Sequence, residues 1–216
     1  MLKLHGVAVS NYYSMVKLAL LEKGIDFEEV RTPPSQEPEF LQMSPLGKIP
    51  CIETPNGFLS ESVAIIEYLE DLDPEPPLYP LDAFESGKVR QLVQLLVLYV
   101  EMPVRRLLNH VFFGGDLADY TRQEVQEALD RSLPALQRAA KFSPYVTGGT
   151  FTAADIVCYY TGILVTMMTE KVYGTDRMLE VEGYSDWLAV MRQRPKVQEV
   201  DTCMHETMKT FFDNKS

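Results

Sequence analysis

Between Asp73 and Pro80 the chain reads DPEPPLYP, four prolines in eight positions. Proline locks φ and lacks a backbone N–H, so no ordinary helix or sheet ladder continues through such a stretch. It acts instead as an extended, semi-rigid connector. The hydrophobic pattern changes across it. Upstream, short period-two runs alternate with helical ones; downstream, no convincing strand pattern appears. With 216 residues the chain has material for two small domains. The expected organisation is a mixed α/β domain over residues 1–78, a linker over 79–85 and an all-helical domain over 86–216.

The upstream half can be followed element by element. Leu2 and Leu4 alternate with Lys3 and His5, a half-buried strand that ends at Gly6. Ser14 to Lys23 reads as an amphipathic helix with Gly24 in place to stop it. Ile25 to Phe27 resumes the period of two, and a β-α-β start makes the two strands parallel. Three prolines mark a loop from Thr32 to Pro38, followed by a short helix at Glu39 to Met43. Then comes SPLGKIPCIETPNGFLSES, Ser44 to Ser62. Pro50, just inside an apolar run, suggests a strand opening at an edge or on a cis bond, which leaves the Ile49 backbone free. Asn56-Gly57 suits a two-residue hairpin turn that returns through Phe58 and Leu59. Glu61 and Ser62 open a helix from Val63, where unpaired N–H groups would point at any nearby anion. A free backbone edge beside an anion socket suits a peptide-like ligand with a carboxylate. The order β-α-β-α-β-β-α is that of the thioredoxin-like fold.

Downstream, Ser86 to Phe113 is a long helical stretch that Pro103 should kink or interrupt. Arg122 to Ala140 is a second helix with a bend expected at Pro134. Ala153 to Met168 is apolar around most of its circumference and should be a buried central helix. Thr152 with Asp155 forms a capping pair, flanked by Phe151 and Ile156 at staple spacing. Tyr184 to Gln193 and Lys196 to Phe212 complete the helices, parted by Pro195.

The formal net charge of −11 makes nucleic acid and anionic membrane surfaces poor partners. No apolar run reaches the roughly 18 residues of a membrane span. Cys51, Cys158 and Cys203 form no C-x-x-C pair, and with no signal-peptide pattern they read as reduced thiols of a cytoplasmic protein.

Three stretches together resemble the cytosolic glutathione transferases: the ordered series Ser44–Ser62, the segment Ser10–Glu28 (SNYYSMVKLALLEKGIDFE) and Thr150–Ile156 (TFTAADI). The resemblance is to serine-type, bacterial-like members and touches both halves of the chain. It implies a thioredoxin-like domain followed by a helical bundle, a homodimer, glutathione as co-substrate, no metal, and a small hydrophobic electrophile. By the same resemblance Ser10 donates a hydrogen bond to the glutathione sulfur; Asn11, Tyr12 and Tyr13 remain alternatives within the same turn. Ile49, before Pro50, would pair its backbone with the cysteinyl part. Glu61 would face the γ-glutamyl ammonium and Ser62 its carboxylate. Lys48 would meet the glycyl carboxylate, with Gln36 as a weak helper. Tyr99, Met102, Arg106 and Phe113 are candidates for the electrophile wall from helical spacing. Two rival functions stand beside transfer: a catalytically silent interaction protein of the stringent-starvation kind, and a glutathione-dependent isomerase. The second is weakened by the missing Ser-Ser-Cys cluster at the first helix.

Overall fold

A computed structural model describes residues 1–213. In chain order the elements are β1 (Leu2–Gly6), α1 (Asn11–Lys23), β2 (Phe27–Arg31), α2 (Pro38–Met43), β3 (Cys51–Thr54), β4 (Gly57–Ser60) and α3 (Ser62–Leu72). There follow α4 (Ala83–Leu95), α5 (Met102–Val104), α6 (Leu108–Phe113), α7 (Asp119–Ala139), α8 (Ala153–Tyr173), α9 (Tyr184–Arg192) and α10 (Pro195–Asp213). A π-helical turn (Leu96–Glu101) joins α4 to α5, and a 3-10 turn (Arg105–Leu107) joins α5 to α6. The first seven elements keep the expected thioredoxin-like order, and among the described residues every later element is helical. The chain forms two compact units, residues 1–78 together with the chain from Arg192 onward, and residues 79–191.

In the first unit the sheet order is β2-β1-β3-β4. β1 and β2 are parallel, as the crossover through α1 requires, and β3 is antiparallel to both β1 and β4. Leu4 and Ile52 pair across β1 and β3 and are fully buried, in a core shared with Met15, Val16 and Leu18 of α1 and Ile65 and Leu69 of α3. Each such side chain contributes about 1.5–3 kcal/mol of burial. Gly24 ends α1 in the left-handed conformation, its N–H returning to Leu20 and Leu21. α1 is buried on more of its surface than its amphipathic pattern suggests, because α10 packs on it as well as α3. Its charged residues are paired accordingly: Lys23 Nζ lies 2.6 Å from Glu70, and Glu22 accepts from Arg194 at 2.7 Å.

The hairpin differs from the expected Asn56-Gly57 turn by one residue. Thr54 pairs with Gly57, so the loop is Pro55-Asn56. The Thr54 hydroxyl accepts from Asn56 N–H at 3.1 Å and donates to Gly57 O at 2.9 Å. Pro55 presets the first turn position, and the threonine closes the loop before the Asn-Gly pair can form its own turn.

In the second unit, Pro103 neither stops the helix nor leaves it regular. Its ring crowds the carbonyl of Tyr99 and it supplies no N–H, and the preceding turn widens so that Met102 N–H reaches back to Val97 O. α7 runs continuously through Pro134. The central helix is α8, longer than expected and buried along most of its length. Asp155 in its first turn is fully buried and accepts from Thr152 N–H (2.8 Å), Val146 N–H (2.8 Å), Trp187 Nε1–H (2.9 Å) and the Thr152 hydroxyl (3.1 Å). Burial pushes this carboxyl up from its ordinary range, and these four donors oppose the shift. Asp155→Asn replaces an acceptor by an NH2 that must face donors. It is expected to lose about 2–4 kcal/mol of stability, lowering Tm by roughly 5–12 °C in a thermal melt followed by Trp187 fluorescence.

Candidate functional site

Strand register alone assembles one edge of the first unit. Cys51 pairs with His5 on β1 and with Ser60 on β4. The residues that follow Gly6, the residues that precede Cys51 and the residues that follow Ser60 therefore emerge side by side. These are the loop to Ser10, the Lys48-Ile49-Pro50 segment and Glu61-Ser62. Thr32 N–H bonds Gly6 O at 2.9 Å and draws the loop after β2 to the same edge. The N-termini of α1 and α3 both open there, and neither first turn carries an acidic side chain. The edge is suited to anions.

Ser10 is the N-cap of α1, extended at φ −82° and ψ 121°, and half-buried. Its Oγ accepts from Tyr13 N–H at 3.4 Å, a long bond that leaves the hydroxyl proton available to an acceptor outside the helix. Asn11 is buried and Tyr12 half-buried. Tyr13 is buried, and its hydroxyl donates to Glu29 Oε2 at 2.5 Å, while Lys17 Nζ takes Oε1 at 2.7 Å. Burial first, then the Glu29 contact, drives the Tyr13 phenol well above its ordinary range. Its proton is committed to Glu29. Gly6 makes room for the ring: a Cβ there would come within 2.4 Å of Tyr13 Cδ2. This arrangement explains why α1 begins at Asn11 rather than Ser14. Sequence reading missed Glu29; the signal was Tyr13 and Lys17 at i, i+4, one helix face that a single carboxylate can serve.

The Ile49–Pro50 bond is cis; Pro50 is buried and Ile49 half-buried. Lys48 is exposed. Glu61 adopts φ 71° and ψ 111°, an uncommon conformation for a residue with a side chain, and makes no capping bond to α3. Such strain gathers at ligand clamps. Ser62, the first residue of α3, is buried. Gln36 turns its Nε2 to Leu46 O at 3.2 Å, so its amide is engaged by the loop before Lys48. Cys51 is fully buried and its thiol is pushed to about 11 by burial, which removes it as a nucleophile. Among the described residues no group of three or more His, Cys, Asp or Glu side chains is arranged to hold a metal ion. No helix among them is long and apolar enough to cross a membrane.

Tyr99, Met102, Arg106 and Phe113 belong to the second unit. A groove of about 570 Å³ between the Gln91–Pro103 segment and α7 is lined by Tyr99, Leu95, Arg131 and Ser132. It adjoins a smaller one of about 370 Å³ lined by Met102 and Arg106. Arg106 pairs with Glu124 at 2.6 Å. Phe113, 59% exposed, lines neither groove.

This combination of a thioredoxin-like unit with a cis-proline edge and a helical unit defines a class that sequence comparison makes specific. The glutathione S-transferase N-terminal domain model matches residues 4–77, and the C-terminal domain model matches residues 119–194. A glutathione S-transferase of Pseudomonas putida is 38% identical over 213 residues, covering 99% of this chain and 97% of that protein. The chain belongs to the glutathione S-transferase family. Elongation factor 1-gamma 2 of Oryza sativa is 32% identical over 123 residues, 57% of this chain but 29% of that protein. The fold also matches glutathione transferase F2 of Populus trichocarpa, with a TM-score of 0.80 at 20% identity over 95% of this chain and all of that one.

Proposed function

We propose that this protein is a cytoplasmic glutathione transferase that holds glutathione along the first unit's edge and turns its thiol into a thiolate for attack on a small hydrophobic electrophile. The observation that carries the reading is Ser10. Its oxygen is held by Tyr13 N–H while its own proton is available to a sulfur. A thiol titrates near 8.5 when free. A hydroxyl donor beside the positive end of α1 favours the thiolate, and a drop of about two units corresponds to roughly 2.7 kcal/mol. Ser10 donates a hydrogen bond and forms no covalent intermediate.

The remaining roles follow the ligand's chemistry. Ile49 pairs its backbone with the cysteinyl residue by strand addition. Glu61 faces the ammonium, and Ser62 with the first turn of α3 receives the γ-glutamyl carboxylate. Lys48 meets the glycyl carboxylate. Tyr99, Met102 and Arg106 supply apolar surface and one cation to the electrophile, and two chains associate as a homodimer. A second reading, a catalytically silent interaction protein, is favoured only by the likeness to elongation factor 1-gamma. Calorimetry separates the two in part, since glutathione binding is the first requirement for transfer.

Two serines should divide the labour. Ser10→Ala is expected to leave glutathione affinity within a few fold and to lower turnover of an aryl halide at least about tenfold, or roughly 1.4 kcal/mol. Ser62→Ala should raise the glutathione KM and spare kcat at saturation. Equal losses in both parameters for both variants would contradict this division. Tyr99→Ala should raise the electrophile KM about fivefold without changing the glutathione KM or the dimer mass in light scattering. A monomeric Tyr99→Ala with an unchanged electrophile KM would instead assign the groove to subunit contact.

A further inference from the structure

The segment Leu46–Ile49 carries two proposed glutathione contacts, yet it lies in a loop between α2 and β3. Among the described residues, two hydrogen bonds tie it to another part of the fold, and both come from one place. Ser35 N–H donates to Gly47 O at 3.1 Å, and Gln36 Nε2 donates to Leu46 O at 3.2 Å. The closure is tight. Gly47 is buried between exposed neighbours Leu46 and Lys48, and its φ is +65°. A Cβ on Gly47 would lie 2.2 Å from both Ser35 O and Gln36 Nε2. Only glycine lets the two strands of loop meet here, on grounds of both backbone conformation and space. The Ser35–Gln36 arm is itself anchored, through Thr32 N–H to Gly6 O at 2.9 Å, to the strand that leads into Ser10.

We infer that Ser35, Gln36 and Gly47 form a clasp that sets the Lys48-Ile49 backbone in place before glutathione arrives, and that Gln36 is a positioning residue which does not itself touch the ligand. This rests on the glutathione reading above. A preset edge spares the ligand the cost of ordering it. Gln36 therefore acts on the whole peptide and not on its glycyl end alone. A direct contact to the glycyl carboxylate would act on that end alone.

The test compares Gln36→Met, which keeps the length and loses the donor, with the parent protein on two ligands: glutathione and γ-glutamylcysteine, which lacks the glycyl residue. Calorimetry is expected to find both ligands weakened about three- to tenfold, glutathione at least as much as γ-glutamylcysteine because it also uses Lys48. In steady state the loss should appear in KM, with kcat reduced no more than about twofold. Amide hydrogen exchange over residues 44–50 should accelerate in the ligand-free variant. Weakening of glutathione alone would overturn the clasp in favour of direct contact. Unchanged affinities, or unchanged exchange, would overturn it too. A parent protein that binds neither ligand would sink the glutathione reading and the clasp with it, whereas normal parent binding beside an unaffected variant would sink only the clasp.

Discussion

Cys51 makes its sheet pairings with His5 on one side and Ser60 on the other, and those pairings determine where the loops of the first unit emerge. Cys51 and Ile52 point to opposite faces of β3 and are both fully buried, so a slip of one residue would exchange the two side chains between differently packed faces and break both pairings. With that register set, the end of β1, the cis-proline segment and the start of α3 have no freedom to separate. The convergence of these loops is a consequence of strand pairing. Cys51 itself takes no chemical part, since burial keeps its thiol protonated.

Charge is then organised locally against the global balance. The chain carries a net −11, which repels an anionic ligand at long range. At the edge itself the N-termini of α1 and α3 open without an acidic side chain in either first turn, and Lys48 is exposed. On β2, Glu29 is occupied by Tyr13 and Lys17 of α1. Lys3, and after it His5, hold the Glu53 carboxyl below its usual range on the neighbouring strand. These pairings neutralise Glu29 and Glu53 on the sheet.

Much of this was legible because it is written in local signals. The Gly-Lys-Ile-Pro step, the Glu-Ser pair and the Thr152–Asp155 cap each specify a few residues of backbone, and the glutathione transferase fold follows from their order. The features that were not legible depend on distant partners or, in the hairpin, on competition between neighbouring turn residues. α1 starts earlier than its pattern suggests because Tyr13 reaches Glu29, sixteen residues on. The hairpin turned one residue early because the Thr54 hydroxyl and Pro55 outcompete Asn-Gly. Pro103 announced a disruption, but not that Glu101 in the widened turn would be fully buried and bonded to Arg105 at 3.0 Å and to the hydroxyl of Thr161, sixty positions away, at 2.7 Å. The bond from the Gln36 amide to Leu46 O, ten residues on, has no local signal in the sequence either.

The central claim is that Ser10 stabilises the thiolate of bound glutathione. The direct measurement is the ultraviolet absorbance of that thiolate as a function of pH, for the parent protein and for Ser10→Ala. The parent complex should titrate about two units below the free thiol value near 8.5, and the variant at least about one unit higher than the parent. An unchanged titration in Ser10→Ala, with the shift appearing instead in Asn11→Ala or Tyr12→Phe, would contradict the assignment.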